Sequence, residues 1–96
     1  MIKLNLVREY LAGPIFCPDI DRMGHVDIDD LPISQKLRVR VGKWDSVYQA
    51  TFNSDYPPES GFSTAEAELQ HVAEGQQLAI MMQQELESGY IVEYCP

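Results

Sequence analysis

The chain has 96 residues and a mass of 10.9 kDa, enough for one domain spanning 1–96 with one modest core and no deep catalytic cavity. At 45% hydrophobic residues it is too apolar for a disordered tail, and no apolar run approaches the roughly 20 residues of a membrane span. Seven cations against fifteen acids leave a charge of −8, which repels nucleic-acid backbones and anionic membrane surfaces alike.

The distribution of charge says more than its total. All seven cations (Lys3, Arg8, Arg22, Lys36, Arg38, Arg40, Lys43) lie in the first 43 residues, beside six acids. Trp44 to Pro96 holds nine acids and no Lys or Arg. Such a half suits a basic protein partner, although solubility alone also accounts for it. The N-terminus lacks a signal-peptide pattern, and two cysteines, Cys17 and Cys95, make no disulfide framework. Free thiols and a cytoplasmic location are expected.

In chain order, Ile2, Leu4 and Leu6 alternate with polar residues and predict a strand over 2–9. Gly13-Pro14 and Cys17-Pro18 then break regular structure. Residues 18–32 read as an acidic loop, with a short extended piece at His25 to Ile28. Ser34 stands where an N-cap belongs. Leu37, Val41, Trp44 and Tyr48 follow at helical spacing, predicting a helix over 35–52 with Lys36, Arg40 and Lys43 along one flank. A turn-rich stretch leads to Ser63-Thr64-Ala65-Glu66, a capping box opening a second helix over 64–88, with Gly89 as its stop. Ala65, Leu69, Val72, Gly75, Ala79, Met82 and Leu86 form a helix-pairing seam. Leu78, Ile80 and Met81 lie outside it, so the middle of this helix is apolar nearly all round. Tyr90–Tyr94 is β-branched and aromatic and predicts a C-terminal strand. The expected fold is α+β in the order β-α-α-β, two antiparallel helices on a small antiparallel sheet. Its terminal strands, if neighbours, would run antiparallel. The apolar excess from Leu78 to Met82, with exposed sheet edges, predicts a homodimer.

Residues 19–30 match part of a calcium loop, with Asp19, Asp21 and Asp27 at positions 1, 3 and 9, Gly24 at 6 and Asp30 at 12. Met23 at position 5 offers no side-chain oxygen, Asp30 is shorter than the usual Glu, and Pro14, Pro18 and Pro32 disfavour the flanking helices. The expectation is an acidic surface loop, with those four Asp as the calcium candidates. Cys17, His25, His71 and Cys95 match no compact zinc pattern. No nucleophile motif, phosphate loop or dinucleotide fingerprint occurs, and His71 reads as a solvated helix residue. No cofactor or catalytic residue is predicted. A small enzyme working through surface carboxylates or histidine is the alternative, and a pocket gathering His25 or His71 with several acids would favour it.

Leu31-Pro32-Ile33-Ser34-x-x-Leu37, Trp44, Tyr48, Pro57, Ser60-Gly61-Phe62, Glu74-Gly75-x-x-Leu78-Ala79, Glu85-Leu86 and Val92-x-Tyr94 form a pattern over residues 17–94. It resembles a set of small, acidic, functionally uncharacterised bacterial proteins. The resemblance implies a bacterial cytoplasmic protein with two helices and carries no activity or catalytic residue. The Lys36/Arg38/Arg40/Lys43 cluster and the Cys17-Pro18 entry depart from it. The lack of a catalytic constellation, the negative charge gathered in the second half and the small core predict a non-enzymatic protein-binding module. Some small acidic bacterial proteins are immunity factors against basic toxins, and that is the analogy for its partner. Its interaction candidates are Leu78, Met81, Met82, Lys36, Arg40 and Lys43.

Overall fold

A computed structural model describes residues 2–19, 23–57 and 60–95. Strands β1 (Ile2–Val7), β2 (Ile15–Cys17) and β3 (Gly24–His25) precede helices α1 (Gln35–Gln49) and α2 (Ala65–Leu86), and strand β4 (Tyr90–Cys95) closes the chain. The four strands form one sheet in the order β3-β2-β1-β4. The α+β class and both helices match the sequence reading. The β-α-α-β order holds only in part, because two further strands precede α1, and the sheet is mixed rather than wholly antiparallel.

Two strands appear where the sequence reads as breaks and loop. Ile15–Cys17 is only three residues long and flanked by prolines, yet it pairs antiparallel with both β1 and β3. The Val7 amide donates to the Pro14 carbonyl at 2.8 Å, closing the first hairpin. Leu4, Leu6, Ile15 and Cys17 are all buried against the helices.

The second correction concerns direction, because β1 and β4 pair in parallel, with Ile2 beside Tyr90 and Val7 beside Cys95. The segment after β3 explains this. It carries the chain back past a 3₁₀ turn (Ile28–Asp30) and buries Leu31 and Ile33 before α1 begins. Consequently α1 ends near the loop that follows β1: the Gln49 side chain accepts from the Leu11 amide at 2.9 Å and donates to the Glu9 carbonyl at 2.7 Å. The end of α2 returns to the start of α1, where the Glu85 carboxylate accepts from the Ser34 amide and hydroxyl. Tyr90 therefore enters the sheet beside Ile2, and β4 runs the same way as β1.

Ser34 caps α1 as expected, accepting from the Leu37 amide at 3.2 Å. The cap of α2 is Thr64, which accepts from the Ala67 amide at 3.1 Å, one residue beyond the expected serine. Leu37, Val41 and Trp44 are buried and Tyr48 is half-buried. On α2 the buried face is His71, Gly75, Leu78, Ala79, Met82 and Leu86. Leu69 is 69% exposed and Ala65 is exposed, because the first turns of α2 lie beyond the cover of the core.

The stop after α2 also differs from expectation. The left-handed residue is Glu87 (φ 56°, ψ −142°), two positions before Gly89. That region suits glycine almost alone and costs other residues roughly 1–3 kcal/mol. Glu87→Gly is therefore expected to raise the melting temperature by several degrees in a calorimetric scan. A lowered melting temperature would contradict this.

Candidate protein-binding surface

Three surface features lie around the two helices. The first is a cleft of about 450 Å³ lined by Lys43, Trp44 and Val47 of α1, by Phe62, and by Ala67, Gln70, His71 and Glu74 of α2. At its base Trp44 and His71 form a reciprocal pair. The Trp44 Nε1–H donates to the His71 carbonyl at 2.9 Å, and His71 Nε2 lies 2.8 Å from the Trp44 carbonyl, to which it donates. The rings stack at 4.6 Å with planes 6° apart, and Phe62 tilts against His71 at 5.0 Å.

This arrangement corrects the reading of His71 as solvated. The residue is 6% exposed, its Nε2 is committed to a carbonyl, and its buried Nδ1 has no partner among the described residues. Burial lowers its pKa below the ordinary 6.5 and Arg8 adds to this, against the Trp44 carbonyl and the carboxylates of Glu74 and Asp45. A neutral ring with both nitrogens buried cannot exchange protons with a molecule in the cleft. His25 sits elsewhere, on β3, with Nε2 3.0 Å from Glu9 Oε2. The cleft brings a single acid, Glu74, to His71, and His25 meets Glu9 elsewhere, so among the described residues neither histidine lies in a pocket with several acids.

A base whose folded pKa is depressed holds fewer protons in the fold than in the unfolded chain. His71 thus contributes full stability above pH 6.5, and this is lost as pH falls from there through its folded pKa. Asp45, raised chiefly by burial, acts oppositely in a lower window, where folding loses stability as pH rises from 3.8. Between pH 7.5 and 5.5 the melting temperature is expected to fall, and His71→Phe is expected to flatten that slope. An unchanged slope in the variant would contradict the assignment.

The second feature is the basic flank of α1. Lys36 and Lys43 are exposed and Arg40 is half-buried, with its Nη1 donating to Met81 Sδ at 3.2 Å. None of the three makes an ion pair among the described residues, where the pairs are Lys3–Glu93, Arg8–Glu68 and His25–Glu9. Of the apolar interaction candidates only Met81 is accessible. Leu78 and Met82 are 0% exposed because the sheet and α1 cover the side of α2 they occupy. Of the apolar stretch Leu78 to Met82, one chain thus absorbs Leu78, Ala79 and Met82, while Ile80 stays exposed and Met81 half-buried.

The third feature is a groove of about 490 Å³ between α2 and the outer edge of β4, lined by Gln76, Ala79, Ile80, Gln83, Gln84, Val92 and Tyr94. Sequence reasoning missed it, since it requires β4 to be the outermost strand. Ile80 is 52% exposed beside it. Glu87 is exposed nearby, as are Glu66 and Glu74 further along α2, while exposed Glu93 and Glu68 are paired with Lys3 and Arg8.

Among the described residues no group of three or more His, Cys, Asp or Glu is placed to hold a metal. The calcium candidate Asp21 lies outside the described residues. Asp19 accepts from the Lys3 amide at 3.5 Å, and Asp27 caps the 3₁₀ turn by accepting from the Asp29 amide at 2.9 Å. Asp30 is exposed within that turn, and Gly24 lies in β3 rather than in a metal-wrapping loop. Cys17 and Cys95 are free, and β1 separates their strands. No helix among the described residues is long and apolar enough to cross a membrane.

Residues 2–96 match the family described as Serratia CdiI immunity protein-like. The chain belongs to that family. Membership replaces the analogy with immunity factors and gives the coarse role, an immunity-type protein that acts by binding another protein. The match is wider than the 17–94 of the motif pattern and takes in β1. No curated protein matches the chain.

Proposed function

We propose that this chain is an immunity protein that neutralises a basic protein toxin by covering it with its acidic half. Family membership over residues 2–96 carries the reading, and the absence of any Lys or Arg after Lys43 supplies the sign of the partner. Exposed Glu66, Glu74 and Glu87 have no ion-pair partner among the described residues, so their field is available to steer an oncoming cationic surface. The protein itself needs no chemistry for this role. It has only to occlude.

The test is affinity capture of the tagged chain from its source cell at low and high salt, with partners identified by mass spectrometry. One basic protein is expected at low salt, largely released at high salt as exposed charges are screened. Recovery of no protein partner, with a metabolite co-purifying stoichiometrically, would overturn the reading and favour the small-enzyme alternative.

A further inference from the structure

The outer edge of β4 carries its own stand-in for a neighbouring strand. The Gln83 side-chain amide lies against it, with Oε1 accepting from the Val92 amide at 2.8 Å and Nε2 donating to the Tyr90 carbonyl at 2.9 Å. A primary amide has the donor and acceptor of a peptide group, so Gln83 fills one rung of an absent ladder. Along a strand, both backbone groups of a residue point to one side and those of the next residue to the other. Because Val92 N–H faces outward, so do the Val92 carbonyl and the Tyr94 amide. These have no partner among the described residues beyond the β1–β4 pairing. Unpaired edges of this kind are templates for another strand.

We propose that β4 and the groove beside it accept an extended, cationic segment of the protein partner by strand addition. The inference rests on the immunity reading and locates its contact. The Gln83 Nε2 also donates to the Glu87 carbonyl at 3.0 Å, at the end of α2. The incoming segment displaces the amide from β4, replaces its two hydrogen bonds to that strand, and gains those of Val92 C=O and Tyr94 N–H. Alternate side chains enter the groove over Ala79 and beside Ile80. Charge selects the occupant. Glu87 stands unpaired beside the edge, Glu93 is already paired with Lys3 of β1, and no Lys or Arg belongs to α2 or β4. A second copy pairing β4 to β4 would bring no cation of α2 or β4 to Glu87, whereas a basic strand supplies one.

The probe is an end-blocked Lys-Val-Lys-Val-Lys peptide, followed by amide NMR on the intact chain. Shifts are expected at Val92 and Tyr94, and N-methylation of the peptide's edge-facing amides is expected to abolish them. Val92→Pro removes an outward N–H while leaving the pairing with β1 intact, an arrangement edge strands tolerate. It is expected to weaken binding about tenfold, the equivalent of one or two hydrogen bonds. Gln83→Ala removes the competitor and is expected to tighten binding, whereas a merely structural cap would leave affinity unchanged. The same two variants are then measured against the captured partner. Binding that ignores both variants would overturn the edge proposal and leave the immunity reading intact. Peptide shifts confined to other residues, or concentration-dependent pairing of β4 with itself, would also overturn it.

Discussion

Trp44→Ala is expected to cost about 3–5 kcal/mol, a large share of the roughly 5–15 kcal/mol that holds a domain folded. Trp44 is 2% exposed and stands where three elements meet. It belongs to α1, its ring stacks on His71 of α2, and its edge meets Tyr94 of β4 at 6.1 Å. Truncation leaves a cavity the size of an indole and strips the His71 carbonyl of its donor. Trp44→Phe refills part of the volume but not the hydrogen bond, so an intermediate loss is expected. Urea unfolding followed by circular dichroism distinguishes the two. A midpoint for Trp44→Ala within error of wild type would contradict this account of the core.

Substitutions at Gly75 are expected to be nearly as damaging, for the opposite reason. A β-carbon there would lie 2.6 Å from Tyr94 Cε1 and 2.8 Å from Trp44 Cζ2, closer than atoms can pack. Both rings are wedged by their other neighbours. Gly75→Ala is expected to lose roughly 1–3 kcal/mol through overpacking despite the gain in helix propensity. Gly75→Val is expected to prevent folding at ordinary temperatures. Gly42 on α1 is the control: nothing lies within 4 Å of its added β-carbon, so Gly42→Ala is expected to gain about 1 kcal/mol. Pairing Gly75→Ala with Tyr94→Leu is expected to recover part of the loss, a coupling that contact requires. Equal stabilisation by alanine at both glycines would contradict the packing described.

The same residues show how far the fold can be read from sequence. Leu4, Leu6, Leu37, Val41 and Trp44 announce themselves by period, and all are core. Ile15–Cys17 does not, because three residues between prolines carry no measurable alternation and become a strand only when β1 supplies the partner. The direction of β4 was equally hidden. It depends on the return of the chain through Leu31 and Ile33, a path that no local propensity encodes. On α2 the seven-residue seam counts Ala65 and Leu69, which a period cannot distinguish from buried residues. Only from His71 onward does α2 meet the rest of the core. The signal that would have found the true face is His71-Gly75-Leu78-Met82-Leu86, at +4, +3, +4 and +4, with histidine admitted as a flat aromatic. The reciprocal pair with Trp44 makes that admission physical.

Less of the binding surface could be read in this way. The charge asymmetry is plain in the sequence, and it names a kind of partner rather than a place. Met81, Lys36, Arg40 and Lys43 do reach the surface, whereas Leu78 and Met82 do not. The groove at β4 needs the strand order, and Gln83 carries no mark in the sequence to separate it from Gln76, Gln77 or Gln84. Only its two hydrogen bonds to β4 single it out.

The central claim is that this protein silences another protein by binding it. The most direct measurement is growth of cells expressing the captured partner alone, or together with this chain, with complex formation checked by co-purification. The account predicts arrest by the partner alone and full growth once the chain is present in equimolar amount. A stable complex in cells that remain arrested, or a partner that is harmless on its own, would contradict it.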